Sequence, residues 1–308
     1  MSTVILDLDA ALDAQAHMLG DVMNGVLRIP ARDLGPALRL WSRPPSLEAL
    51  DLRTREAVKG LGAMLVYAGS GDFHHVSALL IRRAVEQAPE RPVTVLHVDN
   101  HPDWVKFSPG MHCGSWAADV ARFNGVRQII SVGMCSPDMY NSARKGADLS
   151  VVREGLLVPF PLRTQAKEEC VVAGRHIPTI ETLGDALFLE QLDRLIGTDD
   201  LYVTIDKDVL SPLDAATNWD QGELRLSRLV EWLDHLLDGR RLRGADIVGD
   251  ASEMVYGPRP WAAALKWVES CLDQPRHSEL NSEGLRINAM ANRTLHACLS
   301  LHLGHAVS

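Results

Sequence analysis

The chain has 308 residues, of which 46% are hydrophobic and 23% are charged, and its formal net charge is -9. These proportions are ordinary for a globular protein and exclude a disordered or fibrous class. The negative charge, with no run of Lys or Arg longer than a pair, argues against a nucleic-acid-binding surface. Small molecules are therefore the expected partners.

The sequence also bears on location. It has no uninterrupted apolar stretch of about 18 residues, so we expect no membrane-spanning helix. Asp7 and Asp9 lie where a secretion signal would need basic residues, which favours a cytoplasmic protein. The five cysteines are odd in number and form no Cys-x-x-Cys pair, which argues against a disulfide framework or a zinc ribbon.

Apolar runs alternate with amphipathic segments along most of the chain. A short strand is predicted from Val4 to Asp9, and a helix is predicted to begin near Leu47. Further strands are predicted over 63–68, 93–98, 128–132, 156–161, 201–205 and 245–248, and helices over 76–87, 115–123, 183–196, 224–237 and 261–272. Strands that alternate with helices of this length imply crossover connections and a mostly parallel sheet. We predict one doubly wound α/β domain over residues 1–308.

The first acidic residues allow a separate interpretation. Asp7 and Asp9 follow an apolar run, as in the opening motif of haloacid-dehalogenase-type phosphatases, in which the first Asp is the nucleophile. The match is short, and a strand with Asp on one face, or a helix cap, explains both residues more simply. We therefore rank the phosphatase interpretation last.

The most informative stretch is the predicted strand 93–98 and the residues that follow it. A continuous apolar run is typical of a strand buried on both faces, and parallel sheets carry their chemistry at the carboxyl ends of strands. Asp99, His101 and Asp103 follow this strand at every second position. Two carboxylates and an imidazole within one short reach are suited to a divalent metal ion.

Two other strand ends repeat this pattern. His74 and His75 follow a glycine turn after the strand over 63–68, and Asp206 and Asp208 follow the strand over 201–205. Buried carboxylates so close together repel one another unless a cation holds them. One histidine, Asp-x-His-x-Asp and Asp-x-Asp provide six ligands. This carboxylate-rich set favours a pair of ions such as Mn²⁺ over a lone structural zinc.

In these motifs the sequence resembles the ureohydrolase family, which includes arginases and agmatinases. The family signatures Gly-Gly-Asp-His-Ser, Asp-Ala-His-x-Asp and Ser-x-Asp-x-Asp are similar to residues 71–75, 99–103 and 204–208, in the same order. The resemblance covers roughly residues 60 to 255. It implies a three-layer α/β sandwich with a mostly parallel sheet and two Mn²⁺ ions per subunit. The ligands it implies are His75, Asp99, His101, Asp103, Asp206 and Asp208, with His74 as an alternative to His75.

The resemblance further implies a mechanism. A metal-activated hydroxide attacks the carbon of an amidine or amide, and Asp103 takes the proton. A histidine in a His-Gly pair passes a proton to the departing amine, and Met111-His112-Cys113-Gly114 is the similar stretch here. His112 is suited to this role because the ordinary pKa of histidine is near neutrality.

Departures from the family pattern concern the substrate. The segment 104–111 lacks the Asn and Ser residues with which arginases hold the amino-acid end of arginine. Gly249 occupies the position where relatives place a Glu that contacts the guanidinium group. Asp250 or Glu253 is then the candidate replacement, and Trp219 is a candidate wall of the substrate pocket.

We therefore predict a binuclear manganese hydrolase that cleaves a C–N bond in a small guanidino, amidino or formimino compound. One alternative is a single-zinc, deacetylase-like amide hydrolase. Another is a non-catalytic member that binds a ligand. The resemblance also implies a homo-oligomer.

Overall fold

A sheet of eight parallel strands forms the centre of the computed structural model, which describes residues 2–140, 146–163, 169–274 and 281–304. The strands are β1 (Ser2–Asp7), β2 (Leu27–Pro30), β3 (Met64–Tyr67), β4 (Val93–Val98), β5 (Val126–Val132), β6 (Leu157–Phe160), β7 (Asp200–Asp206) and β8 (Arg241–Val248). Their spatial order is β2-β1-β3-β8-β7-β4-β5-β6, and each neighbouring pair is parallel. The predicted parallel sheet is confirmed.

Helices cover both faces of this sheet. The longer ones are α1 (Pro44–Ala57), α2 (Ser77–Glu86), α3 (Trp116–Val120), α4 (Asp185–Leu195), α5 (Leu226–Leu237), α6 (Pro260–Asp273) and α7 (Ser282–Gly304). Both α1 and α6 begin with proline, which suits a first turn because that position makes no intrahelical N–H bond. No helix within the described ranges is both long and apolar enough to cross a bilayer.

Shorter elements connect these layers. Single helical turns span Ala16–Leu19, Gly35–Leu38, Ser150–Arg153 and Ile180–Leu183, and 3₁₀ turns span Asp13–Gln15, Gly20–Met23, Gly71–Val76, Pro137–Met139 and Lys207–Val209. Two small antiparallel ribbons pair Trp41–Ser42 with Met111–His112 and Glu169–Val172 with Arg175–Pro178.

The core is divided between the two faces of the sheet. Alternate side chains of one strand enter opposite faces, so that Val95 packs with α1, α2 and α3, whereas Leu96 packs with α4, α5 and α7. All six residues of β4 are buried, as expected for a central strand covered on both sides. The arrangement is a three-layer α/β sandwich. That residues 1–308 form a single domain stays a prediction.

Besides the short turns and ribbons, one strand of the central sheet and one of the longer helices were not predicted from sequence. The edge strand β2 has four residues and includes Arg28, so it lacks a clear apolar signal. The helix α7 has 23 residues, but its buried side includes Asn288 and Asn292, which interrupt the apolar periodicity. Most of the other predicted strands and helices agree with the structure to within about two residues at each end.

Candidate metal centre

The carboxyl ends of β4 and β7 bring the predicted carboxylates together. Val98 pairs with Ile205 in the sheet register, so Asp99 and Asp206 leave adjacent strands at the same level. The loop after β3 also reaches these carboxylates, although β8 lies between β3 and β7 in the sheet. Its Gly71 approaches so closely that an added Cβ would lie 2.5 Å from Asp206 Oδ2. A glycine at this position therefore lets the loop that carries the histidine pair close over the carboxylates.

His74 points its Nδ1 atom at three of these carboxylates. Nδ1 lies 2.9 Å from Asp99 Oδ2, 3.3 Å from Asp103 Oδ2 and 3.7 Å from Asp206 Oδ2. This nitrogen is buried, yet none of the three oxygens is aligned with it for a hydrogen bond. A ring nitrogen and three carboxylate oxygens that converge without such alignment are the donors a divalent cation needs.

The other ring nitrogen of His74 is held from behind. Nε2 lies 2.9 Å from Thr204 Oγ1, and the Thr204 hydroxyl donates to Asp246 Oδ1 at 2.8 Å. The hydroxyls of Ser77 and Tyr202 also donate to Asp246. Because the Thr204 proton is used on Asp246, Thr204 Oγ1 accepts from Nε2 of His74. This leaves the Nδ1 lone pair facing the carboxylates, an outer-sphere arrangement typical of metal-binding histidines.

A second group shares Asp99 with the first. His101 Nδ1 lies 2.9 Å from Asp208 Oδ2 and 3.5 Å from Asp99 Oδ1. On its far side, His101 Nε2 lies 3.0 Å from Asp220 Oδ1. Ligand atoms of Asp99, His101 and Asp208 all lie within 4.8 Å of one another, as do those of His74, His97, Asp99 and Asp103. Two adjacent clusters bridged by one carboxylate suit two ions better than one.

Mutual repulsion perturbs the acids of this centre. Burial, followed by repulsion from Asp99, raises the pKa of Asp206 to about 7. Burial and the neighbouring Asp206 likewise raise the pKa of Asp208 well above its usual range. Burial opposes ionisation of Asp99 too, but contacts with His101, His74 and His97 hold its pKa well below the usual value. Without a cation the cluster therefore retains protons that a bound metal would displace.

His97 belongs to this centre and was not predicted. It lies on β4 with its ring fully buried, its Nε2 lies 3.0 Å from Asp99 Oδ2, and its Nδ1 lies 2.9 Å from Ser131 Oγ. The sequence contained a signal, because residues 97, 99, 101 and 103 follow one two-residue period. A polar residue inside an otherwise apolar strand indicated a partner at that strand end.

His75, the predicted ligand, is placed elsewhere. Its ring is buried, and neither ring nitrogen has a hydrogen-bond partner among the described residues. Burial lowers the pKa of His75 well below its usual value. Residues Gly71–Val76 form a 3₁₀ turn in which successive side chains point in different directions, so only one of the two histidines faces the carboxylates. The structure favours His74, the alternative considered from the sequence.

A cavity of about 380 Å³ opens onto both clusters. Trp219 lines it and contacts His101, with 5.7 Å between the ring centroids. Lys106 and Phe107 also lie on its wall, together with His112. The centre is therefore reached through a pocket large enough for a small molecule.

Both predicted catalytic residues lie on this cavity. Asp103 Oδ2 accepts a hydrogen bond from Trp116 Nε1 at 2.6 Å, and burial followed by repulsion from Asp99 raises the pKa of Asp103. His112 Nδ1 accepts from the Gly114 backbone N–H at 2.8 Å, which places the His112 proton on Nε2, against Glu269 Oε1. His112 thus holds a defined proton at the cavity wall.

The candidate replacements near Gly249 are not on the cavity wall. Asp250 is fully buried and forms an ion pair with Lys207, and it also accepts a hydrogen bond from Gln15 at 2.7 Å. Glu253 lines a different pocket. Both predictions of substrate contact were based on sequence proximity to Gly249, but the chain turns away from the centre after that residue.

The amino-terminal acids have structural partners. Asp7 forms ion pairs with Arg28 and Arg32, and Asp9 accepts from the backbone N–H groups of Ala11 and Ser70. Neither acid lines the cavity at the metal centre. Their placement gives no support to the phosphatase interpretation.

Comparison with known proteins identifies the family. A sequence model described as the arginase family matches residues 10–253, which is most of the chain. The chain belongs to the arginase family. This confirms the resemblance to ureohydrolases, although no curated protein sequence matches the chain.

Solved structures share the arginase-family fold. A hypothetical agmatinase from Burkholderia thailandensis is 16% identical, with a TM-score of 0.60 over 100% of this chain and 88% of that one. Proclavaminate amidino hydrolase from Streptomyces clavuligerus is 15% identical, with a TM-score of 0.62 over 99% and 93%. Formimidoylglutamase from Bacillus subtilis is 12% identical, with a TM-score of 0.62 over 98% and 87%. At these identities the likeness establishes the three-layer fold alone.

Proposed function

We propose that this arginase-family chain is a metal-dependent hydrolase that cleaves a C–N bond in a small guanidino, amidino or formimino compound, with two Mn²⁺ ions per subunit. The observation that carries the proposal is the pair of clusters joined by Asp99 at the base of one cavity. The buried, unaligned Nδ1 of His74 supports occupation by a cation. Carboxylate-rich donors favour Mn²⁺.

We propose His74, Asp99, His101, Asp103, Asp206 and Asp208 as the residues that would hold the ions, with His97 supporting Asp99. Bound ions of this kind would supply a Lewis acid that activates water. Asp103, steadied by Trp116, would accept the proton of that water at the cavity floor. His112, whose Nε2 carries its proton, would protonate the departing amine.

The competing functions predict different metal contents. A deacetylase-like enzyme would hold one zinc, whereas the second cluster of Asp99, His101 and Asp208 supports a second ion. A non-catalytic member would bind a ligand in the same cavity without turnover. Assembly into a homo-oligomer and a cytoplasmic location are further parts of the proposal, and light scattering of the purified protein tests the first.

The deciding experiment combines metal analysis with a substrate screen. Purified protein is reconstituted with Mn²⁺, its bound metal is counted, and guanidino, amidino and formimino compounds are screened for release of urea, ammonia or formamide. Asp206→Asn is the control, because the amide keeps the shape and the hydrogen bond from Asp208 N at 3.0 Å but removes the charge. Turnover that persists in this variant would refute the proposed centre.

A further inference from the structure

The cavity above the metal centre is strongly acidic. Its wall contains Asp99, Asp103, Asp138, Asp206, Asp208, Asp220, Glu269 and Asp273, and among the described lining residues Lys106 is the one Lys or Arg. Three of these acids belong to the two clusters, Asp206 lies beside the first cluster, and Asp220 is hydrogen-bonded to His101. Glu269 differs from them, because its contacts are with His112 and Trp41 on the cavity wall. Two bound Mn²⁺ ions would balance the charge of the four acids at the metal centre. Asp138, Asp220, Glu269 and Asp273 would still leave the rest of the wall acidic, which favours a positively charged ligand.

Neither Gly249 nor Asp250, the two residues after β8, lines the cavity. Gly249 has a φ of +93°, and an added Cβ would lie 2.4 Å from Asp206 Oδ1 and 2.6 Å from the Lys207 backbone nitrogen. The next residue, Asp250, is turned toward Lys207. The end of β8 therefore contributes no carboxylate to the cavity wall.

Helix α6 instead places the carboxylate of Glu269 on the cavity wall. Oε2 accepts the Trp41 indole N–H at 2.9 Å, and Oε1 faces Nε2 of His112. Each carboxylate oxygen has two lone pairs, so one remains on each after these contacts. Two parallel acceptors match the paired N–H groups of a planar guanidinium or amidinium ion. The phenyl ring of Phe107, with its centroid 5.6 Å from that of His112, offers an aromatic wall to the same cation.

We propose that Glu269 is the substrate-specificity residue, a carboxylate that binds the planar cationic nitrogen group of the substrate. This inference rests on the proposed function and extends it to a cationic guanidino or amidino substrate. Glu269 also orients His112, so the group that binds the cation touches the group that protonates the leaving amine.

The test uses butylguanidinium and its neutral isostere butylurea as probes. Binding of each to the Mn²⁺-treated protein is followed by tryptophan fluorescence, since Trp41 contacts Glu269 and Trp219 lines the cavity. The wild type should bind the cation at least about tenfold more tightly than the urea, and Glu269→Gln should remove about tenfold of that preference. Asp273→Asn, one helical turn further along α6, makes the same charge change and should alter the preference by less than about threefold.

Several results would overturn the inference. These are failure of butylguanidinium to bind the wild type, an equal loss of both probes in Glu269→Gln, and an equal effect of Asp273→Asn. If Glu269→Gln fails to fold, Glu269→Asp takes its place. This variant keeps the negative charge and should retain the preference for butylguanidinium over butylurea, even where its shorter side chain no longer aligns His112. Metal-dependent turnover without charge discrimination would refute this inference and leave the proposed function intact. A preference for butylguanidinium over butylurea in a protein that binds no metal would refute the proposed function and leave the assignment of Glu269 intact.

Discussion

Replacing Asp206 with asparagine should stabilise the metal-free protein and destabilise the metal-loaded one. Asp206 is buried beside Asp99 and Asp103, and its pKa is raised to about 7. A pKa raised from 3.8 to about 7 costs the folded state about 4 kcal/mol once the group is ionised, since one pKa unit corresponds to about 1.4 kcal/mol. Shared protons within the cluster make about 4 kcal/mol an upper limit.

The sign follows from proton binding. Between about pH 4 and pH 7 the folded metal-free protein holds a proton on Asp206 that the unfolded chain has released, so stability falls as pH rises. Asparagine removes this dependence. In EDTA, Asp206→Asn should therefore match the wild type near pH 4 and exceed it at pH 7.5. With Mn²⁺ at about 100 times its Kd, the wild type should gain about 2.7 kcal/mol and the variant should gain much less.

Urea unfolding followed by tryptophan fluorescence, from pH 4 to pH 8, with EDTA or Mn²⁺, measures both effects. Asp238→Asn makes the same chemical change at an exposed position and should shift neither curve. A metal-free Asp206→Asn protein that is less stable than the wild type at pH 7.5 would show that the carboxylates do not repel one another. The electrostatic basis of the proposed metal centre would then be wrong.

Three further predictions concern the histidine pair, the residue behind His74 and a buried lysine on α6. His74→Asn should lower the Mn²⁺ count measured by calorimetry from two ions to one, whereas His75→Asn should retain both, because His74 faces the carboxylates of the first cluster and His75 does not; equal losses would contradict this placement. Thr204→Val removes the acceptor of His74 Nε2 and should weaken Mn²⁺ binding about tenfold. Unchanged affinity would show that the hydrogen bonds from His74 to Thr204 and from Thr204 to Asp246 do not support metal binding. Burial lowers the pKa of Lys266 to about 8, so wild-type stability relative to Lys266→Met should rise by up to about 3 kcal/mol between pH 8 and pH 10.5. Parallel pH curves for these two proteins would contradict that shift.

The sequence predicted the sheet and the position of the carboxylates at the strand ends, because both depend on short-range pattern. A buried parallel strand has a continuous apolar signal, and Asp99, Asp206 and Asp208 lie at or just after the ends of such strands. The strand geometry then fixes where their side chains begin. The positions of carboxylates within one or two residues of a strand end could therefore be predicted from the sequence.

The choice between His74 and His75 was not accessible in that way. Both histidines lie in a 3₁₀ turn, where a difference of one residue rotates the side chain by about 120°. The preference for His75 assumed that the residues before α2 continue its helical spacing, but the 3₁₀ turn has a different spacing. Thr204 and Asp246, which hold His74 in place, lie on β7 and β8 and are more than 100 residues away in sequence.

Glu269, the proposed substrate-binding acid, could not be predicted from the sequence. Most of the proposed metal ligands lie at or just after the ends of central strands, whereas Glu269 lies on α6, which follows the last strand of the sheet. Its approach depends on Trp41 and His112, which lie in the small ribbon formed by Trp41–Ser42 and Met111–His112. Three segments distant in sequence thus meet at one carboxylate. The end of β8 contributes no acid to the cavity, because Gly249 packs tightly against Asp206 and Asp250 pairs with Lys207, whereas α6 places Glu269 on the cavity wall.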